Sequence, residues 1–177
     1  HTRSSAASDV YKRQAFIIVT YNSAKDISEC ILSIKKFHPE CGIYVVDNNS
    51  KDGTQEILKS IKDINLTLLP VNSGFSGGNN LGIKIAMENN YKYFFLFNPD
   101  ARINKKIIES LIRLSIKKKG LVGPVIKDFE TGKIQSIGGN FNRFFSHFNL
   151  RKNAVSLRKR EIKAVSYTHL TLPTISC

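Results

Sequence analysis

The sequence contains few of the residues on which several classes of protein depend. Its three cysteines, Cys30, Cys41 and Cys177, show no CxxC spacing and no metal-ligand pattern with the four histidines. This sparse, odd number excludes a disulfide framework and indicates a reducing compartment. No hydrophobic run is long enough to span a membrane. Neither a GK[ST] phosphate loop nor a GxGxxG fingerprint occurs, which excludes a Walker-type ATPase and a dinucleotide oxidoreductase.

Acidic residues are also scarce, and the chain is therefore strongly basic. It has 14 Asp and Glu against 27 Lys and Arg, a formal net charge of +13 at pH 7. Such a balance favours an anionic partner, namely a nucleotide, a nucleic acid or an anionic membrane surface. Composition alone does not choose among these three.

The two ends differ in composition from the rest of the chain. Residues 1–14 begin without Met, are polar without periodicity and lack the apolar core of a signal peptide. Residues 165–177 contain no Lys, Arg, Asp or Glu. Both segments resemble translated adapter or vector sequence, so we expect them to be non-native tails. A natural disordered arm and a short natural strand are the alternative.

Between these ends, short apolar runs alternate with segments of helical periodicity. The first strand is predicted at 15–20, followed by a helix from Ile27 that stops before Pro39. Further strands are predicted at 42–47, 66–70 and 91–97. Further helices are predicted at 54–64 and 105–119, and another follows the loop 72–80. This pattern predicts an α/β fold with a mainly parallel sheet and helices on both faces. A strand and a hairpin are predicted after Gly120.

A polar cluster follows each of the four strands. The clusters are TYN (20–22), DNNS (47–50), NSGFSGGNN (72–80) and NPD (98–100). Because the carboxyl ends of parallel strands meet at one edge, we expect the clusters to form a single cleft, where open α/β sheets bind ligands. The run FFLF predicts a strand buried on both faces that must end at Pro99, which delivers Asp100 to this cleft. A simple Asn-Pro-Asp turn is the alternative.

Several residues in these clusters suit a nucleotide. The carboxylate of Asp47 can accept hydrogen bonds from a ribose hydroxyl or a base N–H, although an Asx-turn or helix cap would use the same residue. Gly74 and Gly78 allow the backbone to approach a ligand, and the N-terminus of the following helix favours phosphate. Asn79 opens the predicted helix, where it either points into the cleft or caps the helix.

Together, the segments IIVTYNS, VVDNNSKDGT, NSGFSGGNNLGI and FLFNPDA resemble the family 2 glycosyltransferases, in particular their rhamnosyltransferase-like branch. The resemblance implies a GT-A (Rossmann-like) fold with a nucleotide-sugar-binding domain at 15–140. It makes Asp100 the last acid of the family's DxD motif, which binds a divalent cation, Mg²⁺ or Mn²⁺, on the donor diphosphate. The residues that it places around the nucleotide sugar are Thr20, Tyr21, Asn22, Asp47, Asn49, Gly74, Gly78, Asn79, Asn98 and Asp100.

The resemblance also implies substrates and a location. The donor would be dTDP-rhamnose or a UDP- or GDP-hexose, and the acceptor a glycan or a lipid-linked saccharide. An inverting transferase of this kind is expected in the cytoplasm, or peripherally at the inner face of the membrane. The alternative is a non-catalytic basic nucleotide- or nucleic-acid-binding α/β module. The basic run at 151–163 offers it little support, because no aromatic residues suited to base stacking are interleaved there.

Two departures from the family pattern affect the expected activity. Asn98 replaces the first acid of the DxD motif and brings no charge, so metal binding should be weaker. No later acid lies in the ED-type motif with which the family supplies its general base. The acids after Asp100 are Glu109, Asp128, Glu130 and Glu161. We therefore expect a fold whose C-terminal part is truncated, an incomplete start of the acceptor-side region at 141–164, and an inactive fragment without its base.

Overall fold

A computed structural model of the protein describes residues 13–103, 105–118, 122–128, 131–136, 139–142 and 147–150. The expected tails at 1–14 and 165–177 and the region 141–164 lie largely outside these residues. The chain divides into two compact units, one of His1–Asn104 with Leu170–Cys177 and one of Lys105–His169. Among the described helices, none is both long and apolar enough to cross a membrane.

Four parallel strands form the sheet of the first unit. They are β1 (Gln14–Thr20), β2 (Gly42–Asp47), β3 (Asn65–Leu68) and β4 (Tyr93–Phe97). Their order is β3-β2-β1-β4, and each neighbouring pair is parallel. The connecting helices are α1 (Ile27–Phe37), α2 (Thr54–Ser60) and α3 (Gly74–Glu88). This arrangement confirms the predicted α/β fold with a parallel sheet.

β1 is an inner strand of the sheet, with β2 on one side and β4 on the other. All seven of its residues are buried, as expected for a strand covered on both faces. Ala15 and Ile17 cluster with Ile83 and Ala86 of α3. Phe16 points to the other face, where its ring lies 6.1 Å from that of His38 at the end of α1. Helices therefore cover both faces, as predicted.

β4, which lies on the side of β1 away from β2, is less buried than its sequence predicts. The five residues of β4 are all half-buried, although the run FFLF predicts burial on both faces. Within the described part of the chain, β4 pairs with β1 alone and so lies at the edge of the sheet. Phe95 and Phe97 still pack against Phe16, with ring centroids 5.3 and 5.6 Å apart.

The strand register brings the polar clusters to one edge of the sheet. Thr20, the last residue of β1, pairs with Asp47, and Asp47 pairs with Leu68 of β3. On the other side, Phe97 at the end of β4 pairs with Ile18. All four clusters therefore leave the sheet at its carboxyl edge, as the parallel fold predicts.

The segment 72–80 differs from the prediction. The sequence predicts a loop there, but α3 begins at Gly74, nearly two turns earlier than the predicted helix. A Cβ atom on Gly78 would lie 2.7 Å from Cγ1 of Val19, and one on Gly82 would lie 2.6 Å from Cγ2 of Ile17. These glycines therefore let the helix lie close against β1. Three other bounds differ by a few residues. α2 ends at Ser60 instead of residue 64, and β3 ends at Leu68 instead of residue 70. β4 begins at Tyr93 instead of residue 91.

We expect Gly82→Ala to lower the free energy of unfolding by about 1–3 kcal/mol, because the added methyl group must displace Ile17. Helix propensity alone predicts the opposite, a gain of about 1 kcal/mol. Urea unfolding measures the sign directly. Lys84→Ala, at an exposed position of the same helix, is the control and should stay within about 0.5 kcal/mol of the parent. A stabilised Gly82→Ala protein would contradict close packing at this position.

The second unit contains one helix and two hairpins in its described part. α4 spans Lys105–Lys118 and buries Ile108, Leu111 and Ile112 at helical spacing. β5 (Ile126–Lys127) pairs antiparallel with β6 (Ile134–Ser136), and β7 (Gly139–Asn142) with β8 (His147–Leu150). The β5–β6 turn includes Gly132 at φ 66°, a conformation that suits glycine. The hairpin predicted after Gly120 is confirmed.

Candidate functional site

The carboxylate of Asp47 is the centre of a hydrogen-bond network at the strand ends. Thr20 Oγ1 donates to its Oδ1 at 2.9 Å, and Gln55 Nε2 donates to its Oδ2 at 2.8 Å. Ser50 donates twice, from Oγ to Oδ1 at 2.5 Å and from its backbone N–H to Oδ2 at 2.9 Å. Asp47 itself is completely buried. The network joins the ends of β1 and β2 to the first turn of α2.

This environment keeps Asp47 ionised. Burial raises the pKa of Asp47, but hydrogen bonds from Ser50, Thr20 and Gln55 favour the carboxylate, and the net effect holds its pKa below the ordinary value. A carboxylate accepts about four hydrogen bonds, so contact with a base or ribose would require exchange of one of these partners. The direct role of Asp47 at the nucleotide therefore stays a prediction, as does that of Thr20.

Asn48, which the sequence analysis did not single out, fixes the start of α3. Its Oδ1 accepts hydrogen bonds from the backbone N–H and the hydroxyl of Ser73 at 3.1 and 3.0 Å. Its Nδ2 donates to the carbonyl oxygen of Gly74 at 3.2 Å. Asn48 is buried, whereas Ser73 and Gly74 are exposed, so these bonds lie at the boundary between the core and solvent. The clusters after β2 and β3 are thereby held together.

The clusters after β1 and β2 are joined through backbone groups. The N–H of Asn22 donates to Ser50 Oγ at 2.8 Å, and Asn22 Oδ1 accepts from the N–H of Lys51 at 2.9 Å. The N–H of Ala24 donates to Asp52 Oδ2 at 3.0 Å. Asn22 has φ 51°, a left-handed conformation that asparagine tolerates better than most residues. These long-range bonds were not predictable from the sequence.

Other predicted residues at this edge differ in accessibility. Tyr21 is 54% exposed, and Asn49 is half-buried with φ 64°. Gly74 has φ 75°, and a Cβ atom added to it would meet no other atom within 4 Å. Asn79 is buried, and its Nδ2 donates to the carbonyl oxygen of Phe75 one turn earlier at 2.8 Å, so it bonds to its own helix. Gly78 is explained by packing on β1, and its contact with a ligand stays a prediction.

The fourth cluster carries the accessible acid. Asn98 and Asp100 are both exposed. The turn is closed by the N–H of Ala101, which donates to the carbonyl oxygen of Asn98 at 3.1 Å. Cys30 Sγ lies 3.5 Å from the same carbonyl oxygen. Among the described residues, no hydrogen bond or ion pair engages the carboxylate of Asp100.

Arg102 ties this turn to α1. Its guanidinium lies 3.2 Å from Glu29 Oε2 and 3.8 Å from Asp26 Oδ1. The N–H of Ile103 donates to Ser33 Oγ of the same helix at 3.4 Å. This contact is not predictable from the sequence, because Arg102 and Glu29 are 73 residues apart. The helix therefore holds the segment that carries Asp100.

Burial holds both described cysteines as neutral thiols. Burial raises the pKa of Cys30 to about 12, despite the opposing charge of Arg102, and burial raises the pKa of Cys41 to about 12 as well. A neutral thiol reacts poorly, since the thiolate is the reactive form. Of the two, Cys30 is the one that lies beside a strand-end cluster, so the chemistry of the carboxyl edge rests on carboxylates, amides and backbone groups.

Comparison with known proteins assigns the chain to a family. The family model of glycosyl transferase family 2 matches residues 15–166. The chain belongs to this family. Similar proteins include the dTDP-rhamnosyl transferase RfbF of Shigella flexneri, 29% identical over 114 residues that cover 63% of this chain and 38% of RfbF. The low-salt glycan biosynthesis hexosyltransferase Agl10 of Haloferax volcanii is 35% identical over 98 residues, which cover 55% of this chain and 31% of Agl10.

Solved structures show the same fold. TarS of S. aureus (residues 1–349) in complex with UDP has a TM-score of 0.57 and 24% identity, covering 71% of this chain and 39% of that chain. The complex of TarS with UDP-GlcNAc has a TM-score of 0.54 and 25% identity, covering 71% and 38%. The predicted GT-A fold of a family 2 glycosyltransferase is confirmed. The chain spans less than two fifths of the length of RfbF, Agl10 and TarS.

Proposed function

We propose that this chain binds a nucleoside-diphosphate sugar at the carboxyl edge of its sheet, as the donor-binding part of an inverting glycosyltransferase. The observation that carries the proposal is the convergence of four polar clusters at one edge. Three of them are bonded together through Asp47, Asn48 and Asn22, and the fourth presents the accessible carboxylate of Asp100. Membership of the family supports the transferase class, and the names of RfbF and Agl10 support rhamnosyl or hexosyl transfer.

The residues at this edge fit a divalent cation. Mg²⁺ commonly takes one or two protein carboxylates and completes its shell with phosphate oxygens and waters, so Asp100 alone suffices. Asn98 offers an amide oxygen or a hydrogen bond to a ribose hydroxyl, without charge. When bound, Mg²⁺ or Mn²⁺ would stabilise the charge on the departing nucleoside diphosphate. We assign the nucleoside side of the cleft to Tyr21, Asn22 and Asn49.

The substrates and location follow from the same proposal. The donor is dTDP-rhamnose or a UDP- or GDP-hexose, which fits the rhamnosyl transferase and hexosyltransferase relatives. The acceptor is a glycan or a lipid-linked saccharide, met in the cytoplasm at the inner face of the membrane. The net charge of +13 and the exposed residues Arg113, Ile116 and Lys117 of α4 suit peripheral contact with anionic lipid.

Calorimetry tests donor binding. The chain is titrated with dTDP, UDP, GDP and their sugar derivatives, each with Mg²⁺, with Mn²⁺ and with chelator. We expect saturable binding of at least one nucleotide that strengthens with metal. Absence of heat with every nucleotide would overturn the site assignment. Tighter binding of oligonucleotides, with a steep dependence on salt, would instead support the nucleic-acid-binding alternative.

We expect Asp100→Asn to weaken nucleotide binding in the presence of Mg²⁺ by about tenfold, which corresponds to about 1.4 kcal/mol, the contribution of one carboxylate–metal contact. Binding with chelator should be unchanged, because Asp100 touches the nucleotide only through the metal. Asp63→Asn is the matched control, since Asp63 is an exposed acid that follows α2, before β3 begins. Equal loss with and without metal would contradict this assignment.

Arg102→Ala should weaken the metal-dependent part of binding about threefold to tenfold. Its pairs with Asp26 and Glu29 are partly exposed, so the free energy of unfolding should change by less than about 1 kcal/mol. Loss of binding without loss of stability distinguishes positioning of the Asp100 turn from a general structural role. Arg102→Lys should restore part of the binding, and Arg113→Ala is the control. An unchanged metal-dependent affinity in Arg102→Ala would contradict the positioning role.

A further inference from the structure

A second cluster of ligating side chains lies at the opposite edge of the sheet, where β2 begins. One donor atom each from His38, Glu40 and Cys41 lies within 4.8 Å of the other two. His38 follows α1 and Cys41 precedes β2, so the cluster spans a single tight connection. The spacing of cysteines and histidines in the sequence does not reveal this set, because one of its three members is a glutamate.

The backbone holds these side chains in place. The N–H of His38 donates to the carbonyl oxygen of Ile34 at 2.7 Å, which ends α1, and the N–H of Cys41 donates to the carbonyl oxygen of His38 at 3.1 Å. His38 and Cys41 are 5% and 9% exposed. The side chain of Glu40 is 44% exposed and can move without disturbing the core. Two ligands are therefore fixed and one is adjustable.

We propose that His38, Glu40 and Cys41 bind a zinc ion. Imidazole nitrogen, carboxylate oxygen and thiolate sulfur are the three ligand types that zinc uses, and in a tetrahedral site they lie about 3.3–3.6 Å apart. His38 Nδ1 and Glu40 Oε1 are already 3.6 Å apart. Closure around the ion needs a contraction of about 1 Å. A water molecule, or the Gln14 Oε1 atom that lies 3.5 Å from Cys41 Sγ, can complete the shell.

The charges around the cluster favour a cation. The C-terminal end of α1 presents backbone carbonyl oxygens, and Glu40 contributes a negative charge. The two lysines in the last turn of α1 are directed to other partners: Lys35 lies 3.9 Å from Asp63, and Lys36 lies over the ring of Phe37 at 5.4 Å from its centroid. On binding, the ion displaces the thiol proton of Cys41, which is released to solvent.

Zinc at this position would be structural. It would fix the end of α1 to the start of β2, where the ring of His38 already packs near Phe16 of β1. The donor site lies at the other edge of the sheet, so this proposal does not depend on the proposed function. Zinc binding is therefore expected in the absence of any nucleotide.

The test uses the full 177-residue chain, stripped of metal and without nucleotide, titrated with Co²⁺ and then Zn²⁺. We expect one Co²⁺ per chain with the near-ultraviolet absorption of a thiolate–cobalt bond, displacement by one Zn²⁺, and a higher Tm with zinc. Cys41→Ser should abolish the absorption and weaken zinc binding at least about 100-fold. Cys30→Ser and Cys177→Ser are the matched controls, and each should keep the cobalt absorption and the zinc affinity of the parent.

A second variant keeps the test decisive if Cys41→Ser does not fold. Glu40→Gln changes an exposed side chain, so it should fold normally and weaken zinc binding about tenfold. Asp100→Asn should leave zinc binding unchanged, which separates this cluster from the donor site. The proposal is overturned if no thiolate–cobalt absorption appears, if the absorption depends on Cys177, or if Glu40→Gln binds zinc as tightly as the parent.

Discussion

Replacing Asp47 with alanine is expected to lower the free energy of unfolding by about 3–5 kcal/mol. The substitution removes a buried carboxylate that accepts four hydrogen bonds and leaves donors of Thr20, Ser50 and Gln55 without their acceptor. Single domains have only about 5–15 kcal/mol of stability, so this loss is large. Urea unfolding at neutral pH measures it. Glu88→Ala, at an exposed position of α3, is the control and should change stability by less than about 0.5 kcal/mol.

The carboxylate of Asp47 should also make the free energy of unfolding depend on pH. Because the pKa of Asp47 is lowered in the folded protein, its stabilisation is complete above the unfolded pKa of about 3.9 and is lost as the pH falls through the lower folded pKa. Asp47→Asn cannot titrate. The difference in stability between parent and Asp47→Asn should therefore be constant above about pH 5 and shrink below about pH 4. A difference that does not change down to acid unfolding would contradict an ionised Asp47.

Asp47→Ala should also weaken donor binding both with and without metal. Its network fixes the loops after β1 and β2, which carry the proposed nucleoside-binding residues Tyr21, Asn22 and Asn49. Binding is measured well below the Tm of the variant, so that unfolding does not contribute. Asp100→Asn is expected to weaken only the metal-dependent part of binding, so the two variants separate the role of the network from that of the proposed cation site.

The strands, and the polar cluster that follows each of them, were predictable because they depend on local patterns of apolar and polar residues. β2 was predicted with its observed bounds, and β1 differs only by Gln14, since buried apolar runs ended by polar residues define a parallel strand. The start of α3 was wrong for a physical reason. Gly78 and Gly82 look like loop residues in a sequence, and only the fold shows that side chains of Val19 and Ile17 occupy the space beside them.

The positions of the candidate site residues in the fold were predictable from the sequence, but most of their hydrogen bonds and ion pairs were not. Asp47 and Asp100 were identified because each follows an apolar strand. The partners of Asp47 could not be predicted, since Gln55 lies eight residues later and meets it only when α2 has formed. The contact of Arg102 with Glu29 joins segments 73 residues apart and depends on how α1 packs. Sequence patterns therefore locate reactive groups, whereas burial and tertiary contacts decide whether a group is accessible or already bonded.

The chain is expected not to transfer sugar to an acceptor, because a positioned general base typically contributes about 10²–10⁴-fold to the rate of such a transfer. No acid after Asp100 lies in an ED-type motif. Of these acids, Asp128 is engaged in its own turn, where its Oδ1 accepts hydrogen bonds from the N–H and the hydroxyl of Thr131, both at 2.7 Å. Activation of the donor by the proposed cation site would remain, and it should give slow hydrolysis by water with no dependence on acceptor.

The assay measures release of nucleoside diphosphate and formation of labelled glycan from a panel of donors and lipid-linked acceptors. RfbF, assayed in parallel with dTDP-rhamnose, shows that the conditions support transfer. The same preparation of the chain must bind nucleotide in calorimetry, so that inactivity is not caused by misfolding, and Asp100→Asn should remove the slow hydrolysis. Acceptor-dependent turnover at about 1–10³ s⁻¹ would contradict the expectation. It would place the general base among the four acids that follow Asp100, and single substitutions of these acids with the corresponding amides would then identify it.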